Sequence, residues 1–324
     1  MVAGEYEPIT QRRFVLCDGL VARHAAGIKR FGLMKVVSLC VDDYANFMYA
    51  QHLALKSVGV DSECFKLQPH VYKYPNQAKV IRKSAIGSIR ADVFLIFHSH
   101  IEVLPRLDLS NNPQVIHVHT ATRFRQNHVA ISERVKDCKN IIALPEFQGL
   151  CANQFYMVGA IEPNGIELSI TGTNRFAHYP SNPKIKGSGD IFKCIREVGV
   201  SIQTGENVPY QAHMKRMQTC DVYIEMLAAT QGTEQYGSFG MTALEAASMG
   251  KVVITNNLHG QELYRSTYGD CELVIANTKD ELIKSIKQYQ HGSTFKKALA
   301  TYNWWRDKHS LEPTGQRLLQ IIRA

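Results

Sequence analysis

The chain has 324 residues, 45% of them hydrophobic and 20% charged, with a formal net charge of +8. That is globular composition, long enough for two α/β domains of ordinary size. It excludes a transmembrane helix, because no run of about eighteen apolar residues occurs. The opening segment, MVAGEYEPITQRRF, is acidic where a signal peptide is basic and leads into no apolar stretch, so no export leader is expected.

In chain order, residues 35–41 form a short apolar β-rich run. Residues 44–58 then carry Phe47, Ala50, Ala54 and Val58 at helical spacing before a stop at Gly59. Further strands are expected at 61–67, 91–97, 114–118 and 141–144, and their alternation with helical stretches points to a parallel, doubly wound sheet. Residues 1–33 fit this unit poorly and read as an added extension. A stretch rich in Gly, Pro, Asn, Ser and Thr at 159–173 reads as a domain linker. The alternation then resumes. Strands are expected at 175–179, 221–227 and 251–255, helices at 189–198, 239–249 and 279–289, and two closing helices near 295–307 and 313–323. Two Rossmann-like halves joined near residue 166, spanning 1–165 and 166–324, account for this order.

Eight cysteines are scattered singly, with no CxxC pair, which removes zinc-ribbon and thioredoxin-type sites. Their placement suits buried reduced thiols in a cytoplasmic protein. The positive charge is dispersed, with mild clusters at Arg12–Arg13 and Lys29–Arg30. It suits a solvated surface, and also partners that are anionic: lipid, nucleic acid or phosphorylated small molecules.

The most informative segment runs from Tyr236 through Gly237, Ser238, Phe239, Gly240, Met241 and Thr242 to Glu245 and Gly250, directly before the strand at 251–255. A glycine-bearing turn entering a helix leaves backbone N–H groups at Gly240, Met241 and Thr242 facing outward. With the positive end of the helix dipole they make an anion site suited to a diphosphate. Glu245, one turn in, is placed to accept hydrogen bonds from ribose hydroxyls. An ordinary strand–helix–strand crossover, whose glycines only permit tight packing, fits the same residues.

This segment resembles the donor-binding signature of retaining GT-B glycosyltransferases of the glycosyltransferase 4 type (glycosyl transferases group 1). That pattern has two glutamates at fixed spacing around a glycine-bearing loop and a Leu-Glu-Ala helix start. Glu245 matches the second glutamate, and Gly237 stands where the first is expected. Glu234 is the nearest acidic substitute. The run from His178 to Gly187 resembles the family segment leading to a Lys-Gly pair, which makes Lys186 the cation on the donor diphosphate. Ser181 stands at a position that is commonly basic there. Cys220–Glu225 resembles the strand before the signature, and Glu162–Glu167 contains a Pro-Asn-Gly turn like the family's interdomain turn.

The first half holds two His-x-His pairs, His98 with His100 and His117 with His119, at or near strand ends. Residues two apart on a strand share a face, so zinc or iron ligation and a metal-dependent hydrolase form one alternative. Histidines satisfied in a polar interior form another. The family resemblance instead assigns His98 to the donor-sugar side. It likens His119, Thr120, Thr122 and Arg123 to a loop that touches sugar or acceptor.

The resemblance thus implies a GT-B fold of two Rossmann-like domains facing each other across a cleft. The first domain would take the acceptor and the second the nucleotide-sugar, with the last helix crossing back. It implies a hexosyl- or pentosyltransferase acting with retention, with no cofactor and no protein-bound metal. Lys186 and the helix amides would meet the leaving-group charge, and a donor phosphate oxygen would take the acceptor's proton. The acceptor would be a glycan, a lipid head group or a modified nucleic acid, and the basic surface would allow peripheral membrane contact. Gly237 keeps a second outcome open, a catalytically degenerate nucleotide-sugar-binding module.

Overall fold

The structure is a computed structural model describing residues 34–147, 149–151, 153–157, 168–227, 230–231, 234–235, 240–256 and 261–324. Residues 1–33, with Arg12, Arg13, Lys29 and Arg30, lie outside the described residues. So do most of the expected linker, the Pro-Asn-Gly turn and Gly237, Ser238 and Phe239.

In chain order the first half contains β1 (Lys35–Cys40), α1 (Phe47–Ser57), β2 (Asp61–Lys66), β3 (Lys79–Val80), β4 (Val93–Phe97) and β5 (Gln114–His119). It continues through α2 (Ala121–Arg134), β6 (Ile141–Ala143) and β7 (Gln154–Tyr156). These strands form one seven-stranded sheet in the order β3-β2-β1-β4-β5-β6-β7, parallel throughout. Strands of such a sheet are covered on both faces, which is why they read as continuous apolar runs. Successive residues serve opposite layers. Val36, Leu95 and Phe97 pack under α1, while Val37, Leu39, Phe94 and Ile96 pack with Ile86 and Val103.

The second half contains β8 (Phe176–His178), α3 (Ser188–Val198), β9 (Ile202–Thr204), α4 (Tyr210–Gln218) and β10 (Val222–Ile224). A short antiparallel hairpin, β11 (Thr230–Gln231) and β12 (Glu234–Gln235), follows. Then come α5 (Met241–Ser248), β13 (Val252–Thr255), α6 (Gln261–Tyr268), β14 (Val274–Ile275), α7 (Lys279–His291), α8 (Phe295–His309) and α9 (Leu311–Arg323). Five strands make a second parallel sheet in the order β14-β13-β10-β8-β9. Phe176, Val222, Ile224, Val252 and Ile254 face Ile191 of α3 and Ile286 of α7. Ala177, Tyr223 and Val253 face Met214 of α4, Leu244 of α5 and Trp304 of α8. The architecture is two Rossmann-like α/β layers, as the strand–helix alternation implied.

Two features differ from the sequence expectation. The stretch Thr120–Arg123 does not form a loop, because α2 begins at Ala121, immediately after β5. Several short elements carry no apolar signature: β3 is exposed, and α4 is mostly polar.

Within the described residues no helix is long and apolar enough to cross a membrane. The C-terminal helix returns to the first sheet. Leu318, Ile321 and Ile322 of α9 join the core beneath α1 with Met48 and Leu55, and the Asn140 side chain donates to the Ile321 carbonyl at 3.1 Å. The helices cross so closely that a Cβ on Gly315 would collide with the Ala54 carbonyl oxygen. Gly315→Ala is therefore expected to cost about 1–3 kcal/mol through overpacking, read as a lowered urea midpoint. An unchanged midpoint would contradict this packing.

Candidate functional site

In a doubly wound sheet, ligands bind beyond the carboxyl ends of the strands, where the strand order reverses. In the first sheet that point lies between β1 and β4, and in the second between β8 and β10. Each point brings a carboxylate and a basic side chain together.

At the first, Asp43 follows β1 and His98 follows β4. His98 Nε2 lies 3.0 Å from Asp43 Oδ1, and His98 Nδ1 lies 2.5 Å from Thr120 Oγ1 at the end of β5. Asp43 also accepts the Met48 N–H at 2.8 Å and the Tyr49 N–H at 3.0 Å, serving the open amides of the first turn of α1 from outside the helix. Both loops carry consecutive non-glycine residues in the left-handed region, Ala45–Asn46 and His98–Ser99. Such strain persists only where surrounding contacts over-determine it, and it gathers at functional sites.

At the second point, the Lys186 ammonium pairs with Glu225, which follows β10 and is fully buried. Glu225 Oε2 accepts the Thr255 hydroxyl at 2.7 Å, and Thr242 Oγ1 lies 3.2 Å from Oε1. Gly240 precedes the first turn of α5. A Cβ there would stand 2.5 Å from Glu225 Oε1 and 2.9 Å from Lys186 Nζ, so glycine lets the ion pair reach the helix start. Beneath the pair, His178 bridges the Ile224 carbonyl at 2.8 Å and the Ser188 hydroxyl at 2.7 Å. Burial lowers its pKa to about 4, which keeps it neutral beside the lysine.

The two ends open on one cavity of about 380 Å³, within the range of small-molecule sites. His98 and Thr120 line it from the first sheet, and Ser181, Lys186, Gly240, Met241, Thr242 and Glu245 from the second. The Met241 side chain packs against both cores. Tyr72 and Tyr74, in the connection after β2, reach α4: the Tyr210 N–H donates to the Tyr72 carbonyl at 2.9 Å, and the Tyr74 and Tyr210 rings stand 4.4 Å apart.

Other expected site residues lie elsewhere. His119 does not line the cavity. It is buried, stacked on Phe124 at 4.2 Å and bonded through Nδ1 to the Ser99 hydroxyl at 2.8 Å. Burial, with His117 beside it, lowers its pKa to about 3. The cause is local: α2 starts straight after β5 and folds Phe124 back over the strand. Arg123 points to Glu102 at 2.8 Å and does not line the cavity. The Thr122 side chain and that of Glu234 lie outside the described residues.

The His-x-His pairs do not converge on a shared point. His100 Nδ1 accepts the Val41 N–H at 3.0 Å, and burial, with His98 nearby, lowers its pKa to about 3. Among the described residues, one group places three donor atoms within 4.8 Å of one another, Cys40, Asp43 and His98. It contains one histidine, and its thiol is pushed well up by burial and by Asp43. The hydrolase alternative has no support in this arrangement.

Glu245 is buried and lines the cavity, hydrogen-bonded to Tyr210. Burial raises its pKa to about 8, against the lowering effects of Tyr210 and Lys186. At neutral pH it therefore carries its proton, where the sequence suggested an acceptor-only carboxylate. A neutral acid offers one donor and one acceptor to a pair of hydroxyls and does not repel a neighbouring diphosphate.

No family model matches the sequence, and no curated protein sequence matches it. The fold, however, is shared with solved structures. Anabaena HepE in complex with UDP-glucose superposes with a TM-score of 0.63 at 10% identity, covering 90% of this chain and 99% of that one. A glycosyltransferase from Rickettsia africae gives 0.60 at 11% identity, covering 90% and 98%. The sucrose-phosphate synthase of Thermosynechococcus elongatus gives 0.58 at 9% identity, again covering 90% and 98%. The chain has the GT-B architecture, two Rossmann-like sheets with a cavity lined from both.

The Glu245 proton sets a pH dependence. Its folded-state pKa lies above the ordinary value of 4.5, so its stabilising contribution is complete below 4.5 and lost as pH rises through about 8. Glu245→Gln removes that loss. Its stability relative to wild type should climb across this window by at most about 1.4 kcal/mol per pH unit, measured by urea unfolding at a series of pH values. Parallel stability–pH curves would contradict the raised pKa.

Proposed function

We propose that this chain is a glycosyltransferase that moves a sugar from a nucleotide-sugar to an acceptor hydroxyl. The observation that carries the reading is the convergence of Lys186, the amino end of α5 and the buried Glu245 in one cavity. A diphosphate at the start of α5 would meet free N–H groups, the positive end of the dipole and the Lys186 ammonium. As the nucleotide leaves, these fixed charges would hold the developing negative charge without reorganising. Glu245 would engage the ribose hydroxyls. His98 and Thr120 would stand at the sugar and acceptor side.

The GT-B architecture, shared with a protein captured with UDP-glucose, supports the reading and makes UDP-glucose the first donor to test. The finer features follow from the glycosyltransferase 4-type resemblance. They are retention of anomeric configuration and hexosyl or pentosyl transfer without a protein-bound metal, while the scattered unpaired cysteines suit a cytoplasmic location. The acceptor would be a glycan, a lipid head group or a modified nucleic acid, with peripheral membrane contact through basic side chains. In this reading residues up to 165 form the acceptor side and 166–324 the donor side, with α9 crossing back.

Calorimetric titration tests the reading. UDP-glucose should bind, and at a hundred times its Kd should stabilise the fold by about 2.7 kcal/mol. Glu245→Met should weaken UDP binding about ten-fold, near 1.4 kcal/mol, yet leave the affinity for 2′,3′-dideoxy-UDP nearly unchanged. Equal losses for both ligands would remove the ribose role. Binding of UDP-glucose without transfer or hydrolysis would favour the degenerate module.

A further inference from the structure

The connection between β2 and β3 leaves the first sheet and returns to it. Its ends are fixed there. The Gln68 N–H donates to the Val41 carbonyl at 2.9 Å, the Asn46 side chain donates to the Asn76 carbonyl at 2.9 Å, and the Lys66 ammonium donates to Gln77 Oε1 at 2.6 Å. Its middle joins the second half of the chain. Tyr74 is buried in the core that holds Met214 and Tyr223, and Tyr72 packs against the same core. Both side chains line the cavity, as do Tyr210 and Glu245.

We propose that residues 68–77 form a strap that closes the nucleotide end of the cavity, and that a nucleotide enters and leaves only while this strap is released from α4. The inference rests on the nucleotide-sugar reading, because the ribose role of Glu245 marks which end the nucleotide takes.

The strap is built to be held at its ends and released in its middle. Val71, Lys73, Pro75, Asn76 and Gln77 are exposed, while Tyr72 and Tyr74 turn inward. Lys73 has a left-handed φ of 50°, a conformation that costs energy in a residue other than glycine. An exposed segment with few backbone bonds of its own lies at the low end of local stability.

Contact with α4 holds the middle down. The Tyr74 and Tyr210 rings stand 4.4 Å apart, and the Tyr210 N–H donates to the Tyr72 carbonyl at 2.9 Å. Tyr210 is the first residue of α4, so no carbonyl within the helix can take its N–H. The strap supplies that acceptor. The His213 N–H, by contrast, bonds to the Pro209 carbonyl at 3.0 Å. Release of the strap therefore frees the Tyr210 amide and leaves the His213 amide bonded.

The same tyrosine connects the strap to the ligand. Glu245 is hydrogen-bonded to Tyr210, and Tyr74 packs on the Tyr210 ring. A nucleotide with its ribose at Glu245 lies beside the strap, and Tyr72 and Tyr74 wall the cavity there. Lifting the strap removes that wall while its ends stay bonded to the first sheet.

Two measurements on the full chain test the strap. Hydrogen exchange followed by NMR needs no variant. Saturating UDP should slow exchange of the Tyr210 amide about ten-fold or more, and that of the His213 amide much less. An unchanged Tyr210 rate overturns the proposal. Binding kinetics of UDP on the immobilised protein give the second reading. Tyr74→Ala should raise the association and dissociation rates together, each about ten-fold, because a step that must precede binding has become easier. Tyr74→Phe, which keeps the ring, should bring both rates back toward wild type. Loss of an ordinary contact raises the dissociation rate alone. That outcome, or unchanged rates, overturns the strap and leaves the nucleotide-sugar reading standing. If Tyr74→Ala does not fold, the exchange measurement decides by itself. Failure of the wild type to bind UDP removes that reading, and the strap with it.

Discussion

The structure depends on one constraint, the reversal of strand order in each parallel sheet. Where neighbouring strands connect in opposite directions, no crossover helix covers their carboxyl ends, and a crevice remains. Here both crevices are filled with ionisable groups, Asp43 with His98 in the first sheet and Glu225 with Lys186 in the second. A buried carboxylate is tolerated only when paired and hydrogen-bonded. Glu225 meets that condition through Lys186, Thr242 and Thr255, and Asp43 through His98 and two amides of α1. The same contacts that make the carboxylates bearable hold the basic partners in place.

The division of labour within the cavity follows from these pairs. The Lys186 end is electropositive in its local surroundings because the amino end of α5 adds its dipole to the ammonium. Glu225 offsets that charge from below, and Gly240 keeps the two in reach of the helix start. Glu245, one turn along, is held neutral by burial and adds no negative charge to a site suited to an anion. The His98 end differs in its groups, an imidazole held between the Asp43 carboxyl and the Thr120 hydroxyl.

Much of the fold was legible because parallel strands buried on both faces read as unbroken apolar runs, as at Val36–Cys40 and Val93–Phe97. The two sheets and most long helices follow from that pattern. Short or exposed pieces such as Lys79–Val80 and Ile202–Thr204 have too few residues to register. The α4 helix is hidden by polar residues on its open face. At the site, Gly240, Met241 and Thr242 at the helix start and Lys186 stand out locally, and the structure brings them to the cavity. His119 stood out equally, but Phe124 covers it, which no local pattern reveals. Asp43 and Glu225 were missed because each is an acid just after a strand, with its partner 55 or 39 residues away in sequence. Their only signal was an acidic side chain at the end of an apolar run, where burial without a partner would be too costly.

A crystal structure of the chain with UDP-glucose tests the central claim most directly. The account predicts the diphosphate against the Met241 and Thr242 amides and Lys186, the ribose at Glu245, and the glucose toward His98 and Thr120. A nucleotide bound away from the start of α5, or with its sugar turned from the first sheet, would contradict it.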